Sequence, residues 1–364
     1  MNLYRKLTVL LALWVCGSAL AQDEQTLTVT SWGGAYESAQ RVALFDPFEQ
    51  DTGIEVVLHP YSGGIEPLLH DRKDSLEFDV ADLVESDALL ACDEGILVEL
   101  DSSMLEGAAD GTSAEDDFIE DAWLACGIAH IEYATVVAYD ERAFKEEKPS
   151  SIADFFDLDR FPGKRALQRH PRAILEWAML SYGIPPQQIY ELLSSERGLN
   201  LVTRRMNQIR DHIVWWESGS EPPQLLGDGT VVMASGYNGR FFEATMNHDA
   251  AISVIQDGHL LEFGVWGILR DSPNQDAAAK FVRYVTGTQK MADFSNRIPY
   301  SPTRSSSIRR IGLHEKSNVS MLTYMTRSTS TSSSNVVRIA SGWYSRTEKV
   351  RERWFNEWLS DGQN

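Results

Sequence analysis

The stretch LTVTSWGGAYESAQRVALFDPFEQDTGIEVVL, residues 27–58, sets the pattern on which the rest of the chain is built. Its first six residues, rich in β-branched and aromatic side chains, predict a strand that the pair Gly33 and Gly34 ends. Apolar residues at helical spacing over residues 35–49 predict a helix, and residues 54–58 predict a second strand. A strand, turn, helix and strand in this order indicate an α/β sheet.

The alternation continues beyond this first unit. A helix-like segment surrounds Leu68, and residues 78–84, FDVADLV, predict a third strand. We therefore expect a mixed, mainly parallel sheet flanked by helices. Ligands of such sheets bind at the carboxyl ends of the strands, which predicts that Trp32, residues 61–64 and residues 85–87 surround one mouth.

The second half of the chain repeats this pattern and implies a second α/β domain. Predicted strands cover residues 135–139, 229–234, 252–255 and 265–269. Predicted helices cover residues 172–180, 201–209, 274–285 and 350–359. The Ser/Thr tract at residues 326–334 has too few apolar side chains to pack and predicts a mobile surface loop.

Composition limits the class of protein and its partners. The chain has 364 residues, 43% hydrophobic and 24% charged, which indicates a globular protein of about two domains. It carries 53 acidic and 33 basic residues, a net charge of −20. The electrostatic field of this negative charge repels the phosphate backbones of nucleic acids, so we expect no nucleic-acid partner. The negative charge also favours solubility.

The first residues have the pattern of an export signal. Residues 1–21 contain two basic residues, an apolar run and the sequence ALA at 19–21, which has the small side chains that signal peptidase recognises. The apolar run is shorter than the ~20 residues of a membrane-spanning helix. We predict a cleaved signal peptide, a mature chain that begins at Gln22 and a periplasmic location. Cys16 lacks the preceding small residues of a lipoprotein site.

Export leaves two cysteines in the mature chain, Cys92 and Cys126. An even pair in an oxidising compartment predicts a disulfide, with two buried free thiols as the alternative. The histidines form no clustered spacing with these cysteines, so no metal site is predicted.

Common catalytic and nucleotide-binding motifs are absent from the sequence. Neither the nucleophile elbow of hydrolases, the zinc protease motif, the phosphate-binding P-loop nor the dinucleotide fingerprint occurs. We therefore expect no enzymatic activity and no cofactor. A secreted enzyme whose site is assembled from residues distant in sequence remains the alternative of another class.

Nine short motifs occur in one order along nearly the whole mature chain. They are TSWGGAY (30–36), FDPFE (45–49), FDV (78–80), ACDEG (91–95), WWESG (215–219), GYNGR (236–240), SPNQD (272–276), IPYSPT (298–303) and RWFNEWL (353–359). In these motifs the chain resembles the extracellular solute-binding proteins of ABC importers, in the spermidine/putrescine-binding family.

The resemblance implies a type II periplasmic binding protein, with two α/β lobes that close around one small molecule. The implied lobes are residues 22–134 with 266–302 and residues 135–265 with 303–364. The chain would cross between them near Thr135 and near Trp266. A closed, monomeric protein would then deliver its ligand to the permease subunits in the inner membrane.

The resemblance also implies the ligand site. Its aromatic positions are occupied by Trp32, Tyr36 and Tyr237, which suit an amine. Where the family has an acidic pair, this chain has His170 and Ala173. The complete predicted set is Trp32, Tyr36, Glu85, Arg169, His170, Tyr237, Arg240 and Glu262.

The lost acidic pair changes the expected ligand. Arg169 or Arg240 would bind a carboxylate through the guanidinium fork, while an amine faces Trp32, Tyr237 and either Glu85 or Glu262. The sequence therefore favours an amino-acid-like zwitterion. Spermidine or putrescine remains the alternative, with an acidic site rebuilt from Glu85, Asp87, Glu217 and Glu262.

Overall fold

A computed structural model describes residues 25–69, 78–325 and 335–361. Over these ranges, twelve strands form one mixed sheet with helices on both lobes. The predicted signal peptide at residues 1–21 and the Ser/Thr tract at residues 326–334 lie outside the described residues. Within the described part, no helix combines the length and apolar character needed to cross a membrane.

The strands and helices follow the alternation expected from the sequence. The strands are β1 Thr26–Ser31, β2 Glu55–Pro60, β3 Val80–Val84, β4 Trp123–Leu124, β5 Gly127–Asp140, β6 Arg165–Gln168, β7 Ile213–Trp216, β8 Met233–Tyr237, β9 Ile252–Val254, β10 Leu260–Ile268, β11 Ser301–Pro302 and β12 Val337–Arg338. The α-helices are α1 Gly34–Gln40, α2 Asp46–Thr52, α3 Glu85–Asp93, α4 Ala114–Asp117, α5 Ile174–Leu180, α6 Ile189–Leu193, α7 Glu196–Ile209, α8 Glu221–Gly227, α9 Asn238–His248, α10 Gln275–Val285, α11 Thr288–Ser295, α12 Ser305–Ile308, α13 Met321–Tyr324 and α14 Ser341–Asp361. A π-helical turn, Arg41–Phe45, joins α1 to α2.

The first predicted unit is confirmed. Strand β1 runs parallel to β2, from the pair Thr26 and Glu55 to the pair Ser31 and Pro60. Gly33 ends the strand with a backbone φ of 63°, in the left-handed region that glycine adopts without steric conflict. The predicted strand at residues 229–234, by contrast, begins only at Met233, because the chain turns at Gly229 with a φ of 75°.

The sheet is mixed, and its centre is less parallel than the sequence predicted. Its strand order is β2-β1-β3-β10-β5-β8-β6-β7. Strand β10 is antiparallel to both β3 and β5, and β5 is antiparallel to β8. The physical reason is that β5 and β10 run between the lobes in opposite directions and pair with each other along the way.

Two hydrophobic clusters mark the lobes, and the crossing strands belong to both. On β5, Tyr133 packs in the first lobe and Val137 in the second. On β10, Leu260 packs in the second lobe and Phe263 in the first. On β5, Thr135 lies between Tyr133 and Val137, whereas Trp266 on β10 lies in the core cluster of the first lobe.

The C-terminal part returns to the second lobe later than the predicted boundary at residue 303. Arg304 forms a buried ion pair with Asp117 at 3.2 Å, and the Ser306 backbone N–H donates to the same carboxylate. Helix α12 also contacts α11 of the first lobe. The chain reaches the second lobe at Met321, which packs against Phe242 of α9.

The predicted disulfide is confirmed. Cys92, near the end of α3, bonds to Cys126, just before β5, with 5.6 Å between their Cα atoms. The bridge therefore ties α3 to the start of a strand that crosses between the lobes.

Candidate ligand-binding site

A cavity of about 300 Å³ lies between the lobes. The first lobe contributes residues at the carboxyl ends of β1, β2 and β3, among them Trp32, Tyr61 and Val84, whereas residues 85–87, which were also predicted to surround the mouth, are not part of the lining. The second lobe contributes residues around β6, β7 and the start of α9. Among the described residues, its aromatic lining consists of Trp32, Tyr36, Tyr61, Tyr133, Tyr237 and Tyr300.

The aromatic rings hold one another in place. Trp32 meets Tyr61 edge-on at 4.9 Å between ring centroids, and its Nε1 donates to the Asp82 carbonyl oxygen at 2.9 Å. Tyr133 and Tyr237 make a second edge-on pair at 5.6 Å. Rings fixed in this way present a wall that need not reorganise when a ligand binds.

The buried tyrosine hydroxyls act as donors. Burial, and next the charge of Asp82, raise the pKa of Tyr36 well above its usual range. Burial and then Glu262 do the same to the pKa of Tyr133. Both phenols therefore stay protonated, and Tyr36 donates to Asp82 Oδ2 at 2.7 Å while Tyr133 donates to Glu262 Oε2 at 2.8 Å.

Three carboxylates line the cavity among the described residues: Glu37, Asp82 and Glu217. Asp82 is only 1% exposed, and it also accepts from Gln40 Nε2 at 2.9 Å. Its other oxygen lies 3.3 Å from His130 Nε2. Glu37 accepts a hydrogen bond from the Ser31 hydroxyl. These groups give the wall acidic character beside the aromatic rings.

Arg240, on α9 of the second lobe, is the cation of the cavity wall. Its side chain is buried, and its Nη2 donates to the Trp32 carbonyl oxygen of the first lobe at 3.0 Å. Its Nε and Nη1 have no hydrogen-bond partner among the described residues. A Cβ at Gly34 would lie 2.6 Å from Nη1, so a larger residue there would require the guanidinium to move. Buried N–H groups without acceptors are costly, which points to an acceptor supplied by a ligand.

Four of the eight predicted site residues line the cavity: Trp32, Tyr36, Tyr237 and Arg240. The other four, Glu85, Arg169, His170 and Glu262, are not part of its lining.

Local contacts explain why two of these four lie elsewhere. Glu262, 2% exposed, accepts from Arg172 Nη1 at 2.7 and 2.8 Å and lies behind Tyr133. Glu85 faces Arg338 at 3.6 Å, and burial raises its pKa to about 7 against the opposing effect of Arg338.

The other two belong to the loop before α5. The Arg169 side chain is exposed, and its backbone N–H donates to the Trp216 carbonyl oxygen. His170 Nδ1 accepts from the Arg172 backbone N–H at 3.1 Å. Burial and the nearby Arg172 lower the pKa of His170 to about 3, so its imidazole is neutral at physiological pH.

Sequence reasoning missed several wall residues, among them Tyr61, Asp82, Tyr133 and Tyr300. Asp82 had a visible signal, since it is a charged residue within an otherwise apolar strand. Tyr61 stood in the predicted mouth, and Tyr300 lay in a quoted motif. Tyr133 had no such signal, because β5 is buried on every side and its sequence does not show which side chains face a ligand.

The described residues contain no group of three or more histidine, cysteine, aspartate or glutamate side chains placed to hold a metal ion. The wall instead combines rings, carboxylates and one arginine, which suits recognition of a small organic solute. Two lobes joined by crossing strands around such a cavity define a solute-binding protein of the periplasmic type.

Comparison with known proteins gives the family. Residues 43–319 match the bacterial extracellular solute-binding protein family, and the chain belongs to it. A gamma-aminobutyric acid-binding protein of Pseudomonas aeruginosa is 32% identical over 294 residues, 80% of each chain. These matches support the broader family rather than the spermidine/putrescine-binding group that the sequence motifs suggested.

Solved structures show the same α/β periplasmic binding protein fold. The binding protein MotA of Agrobacterium tumefaciens B6, in complex with glucopine, superposes with a TM-score of 0.80 at 23% identity. The match covers 92% of this chain and 99% of that one. A receptor for gamma-aminobutyric acid gives a TM-score of 0.75 at 22% identity, over 91% and 97% of the two chains.

The family also sets the general role. Its members bind a small molecule outside the cytoplasm and interact with ABC permeases, and the matched relatives are transport proteins rather than enzymes. The chain is accordingly a solute-binding protein of the periplasm or the exterior.

Proposed function

We propose that this protein is the periplasmic solute-binding subunit of an ABC importer that captures a small zwitterion with one amine and one carboxylate. It closes around this solute and delivers it to permease subunits in the inner membrane. The observation that carries the proposal is the buried guanidinium of Arg240 in the cavity wall, two of whose nitrogens have no acceptor among the residues that the structure describes.

The carboxylate of the solute binds Arg240 in this proposal. A guanidinium presents parallel N–H groups in a fork that matches the two oxygens of a carboxylate. The fork pairs Nη2 with either Nε or Nη1, so such a ligand would give an acceptor to one of these two nitrogens and would neutralise a cation that is 4% exposed. One N–H of Nη2 already donates to the Trp32 carbonyl oxygen, which restricts the orientation of the guanidinium.

The amine of the solute lies against the aromatic and acidic part of the wall. Ring faces of Trp32 and the neighbouring tyrosines attract a cation, and Asp82 and Glu37 supply negative charge. These acids replace Glu85 and Glu262 in the role predicted from the sequence. Glu262 is unsuited to it because it does not line the cavity and its charge is paired with Arg172.

Two further observations support the proposal. A cavity of about 300 Å³ is at the small end for ligand sites, which suits a compact solute. The relative at 32% identity is a gamma-aminobutyric acid-binding protein, and that compound carries one amine and one carboxylate.

Isothermal titration calorimetry with three matched compounds tests the proposal. 4-Aminobutyrate carries both charged groups, 1-aminobutane lacks the carboxylate, and butyrate lacks the amine. We expect 4-aminobutyrate, or another ω-amino acid of the panel, to bind at least 100-fold more tightly than either single-charge compound. The solute should be recovered unchanged, and its turnover by the purified protein would contradict the binding role.

Two variants and two polyamines complete the experiment. Arg240→Gln should abolish the advantage of 4-aminobutyrate over 1-aminobutane, whereas Arg169→Gln, outside the cavity lining, should leave it intact. Spermidine and putrescine are titrated alongside. Tight polyamine binding that Arg240→Gln leaves unchanged would replace the zwitterion with the polyamine alternative.

A further inference from the structure

We propose that Arg172 is a positioning residue that holds the two lobes together and links their closure to the wall of the cavity. It lies in the second lobe, just before α5, and does not line the cavity. This inference goes beyond the proposed function, and it rests on that function only where ligand dissociation is measured.

The guanidinium of Arg172 joins three parts of the molecule. Its Nη1 donates to both oxygens of Glu262, at 2.7 and 2.8 Å, on the crossing strand β10. Its Nη2 donates to the Ser86 hydroxyl at 2.6 Å and lies 3.6 Å from Asp87 Oδ1, both on α3 of the first lobe. One side chain therefore bridges the second lobe, the crossing strand and the first lobe.

Asp87 connects Arg172 to one side of the cavity wall through a series of hydrogen bonds. Its second oxygen accepts from the Gly64 backbone N–H at 2.8 Å, and the Tyr61 hydroxyl donates to the Gly64 carbonyl oxygen at 2.7 Å. Tyr61 in turn packs edge-on against Trp32. The carboxylate that meets Arg172 thus also fixes the loop that supports the Trp32 ring.

Glu262 connects Arg172 to the other side of the cavity wall. It accepts from the Tyr133 hydroxyl at 2.8 Å, and Tyr133 packs edge-on against Tyr237 of the second lobe. Both tyrosines line the cavity. Arg172 is therefore connected to both faces of the cavity through one carboxylate on each side.

Opening of the lobes affects these contacts unequally. Glu262 lies on the crossing strand, close to the point where β10 passes between lobes, so its pair with Arg172 survives a hinge motion. Ser86 and Asp87 move away with the first lobe. The contacts that exist only in the closed arrangement bias the equilibrium between open and closed states towards closure. We infer that this bias is present before a ligand binds.

The test measures the width of the cleft directly. Ser38 on α1 and Gln224 on α8 are exposed and line a groove outside the cavity, one on each lobe. Spin labels on Ser38→Cys and Gln224→Cys, attached without reductant to spare the native disulfide, report their separation by pulsed electron paramagnetic resonance. We expect a short-distance population in the ligand-free wild type, and its loss in Arg172→Met.

Saturating 4-aminobutyrate should restore the short distance in Arg172→Met, with a dissociation rate roughly 10- to 100-fold above that of the wild type. Asp87→Asn, which keeps an acceptor for Gly64 but removes the charge opposite Arg172, should show the same change in smaller measure. Arg304→Met is the matched control, because it breaks a buried ion pair within the first lobe, at 3.2 Å from Asp117. It should lower the melting temperature and leave the label distance unchanged.

Each outcome decides the proposal. Identical distances in the wild type and Arg172→Met, or a wild type without the short-distance population, would overturn it. If Arg172→Met fails to fold, the label distance in Asp87→Asn tests the proposal in its place. If 4-aminobutyrate binds no variant, the proposed ligand fails, while the ligand-free distances still test the role of Arg172.

Discussion

Two arginines of the second lobe, the buried Arg240 and the partly buried Arg172, reach across to the first lobe, and they differ in how completely their N–H groups are satisfied. Arg172 donates to Glu262 and Ser86 and faces Asp87. Arg240 has one bond, to the Trp32 carbonyl oxygen, and two nitrogens without a partner among the described residues. The same residue type is thus satisfied by the protein's own groups at Arg172, whereas at Arg240 it keeps donors without a partner among the described residues.

The neighbours of each side chain explain the difference. Arg172 is surrounded by acids, so its removal leaves Glu262 buried with an unpaired charge. Arg240 is close to the Tyr36 ring, 5.9 Å from the ring centroid, and to a backbone carbonyl. Its removal leaves no carboxylate without a counter-ion. Loss of Arg172 should therefore reduce stability, and loss of Arg240 should reduce affinity.

The largest expected effect is on ligand affinity. Arg240→Ala should raise the dissociation constant for 4-aminobutyrate by roughly 100- to 1000-fold, about 3 to 4 kcal/mol, because the carboxylate loses its cation. The free energy of unfolding without ligand should change by less than about 1 kcal/mol. Arg172→Met should instead lower that free energy by about 3 kcal/mol. Calorimetric titration and urea denaturation measure the two quantities, and equal losses of stability in both variants would contradict the distinction.

The next effect concerns the disulfide that ties α3, the helix that Arg172 contacts, to the start of β5. Replacing both Cys92 and Cys126 by serine should lower the free energy of unfolding by about 3 kcal/mol, because the 34-residue loop between them is no longer closed in the unfolded chain. Affinity for 4-aminobutyrate should stay within roughly threefold of the wild type, since the hydrogen bonds of Arg172 hold α3 locally. A tenfold or larger loss of affinity would show that those bonds do not suffice.

A smaller effect depends on pH and arises at Glu85, the first residue of α3. Glu85 has its pKa raised to about 7 by burial, with Glu262 and Asp121 adding to the rise while Arg338 and Ser341 oppose it. Because the folded chain holds this proton more tightly than the unfolded chain does, the contribution of Glu85 to stability is fully present below about pH 4.5. That contribution is lost as the pH rises through about 7.

Glu85→Gln tests the sign of this effect. Relative to the wild type, the variant should gain little free energy of unfolding at pH 5 and about 2 kcal/mol at pH 8, because glutamine needs no proton to be buried neutral. Urea denaturation at the two pH values measures the difference. Glu357→Gln, which replaces an exposed carboxylate of α14, serves as the control and should show no such trend.

The smallest expected effect is on ligand affinity, when the hydrogen bond between Tyr133 of the cavity wall and Glu262 is removed. Tyr133→Phe keeps the ring in the wall and removes only the hydroxyl that donates to Glu262 at 2.8 Å. We expect the dissociation constant for 4-aminobutyrate to rise three- to fivefold, about 1 kcal/mol, as one buried hydrogen bond is lost. An effect as large as that of Arg240→Ala would place the charged anchor of the ligand at Tyr133 and Glu262 instead.

Four of the eight predicted site residues, Trp32, Tyr36, Tyr237 and Arg240, line the cavity. Glu262, predicted with Glu85 as an acid that faces the amine, pairs with Arg172, which lies 90 residues away in sequence. Glu85 faces Arg338 on β12. In a chain with 53 acids and 33 basic residues, sequence pattern cannot assign such pairs.

Features that depend on neighbours along the chain could be predicted from the sequence: the alternation of strands and helices and the glycine turn after Trp32 follow from periodic burial and local backbone preference. The pairing of two cysteines follows from their even number in an oxidising compartment. Which arginine is satisfied, and which keeps nitrogens without a partner among the described residues, is set by the tertiary structure. The contact between Arg240 and Trp32 spans 208 residues, and whether a buried polar group finds a partner depends on how distant segments pack.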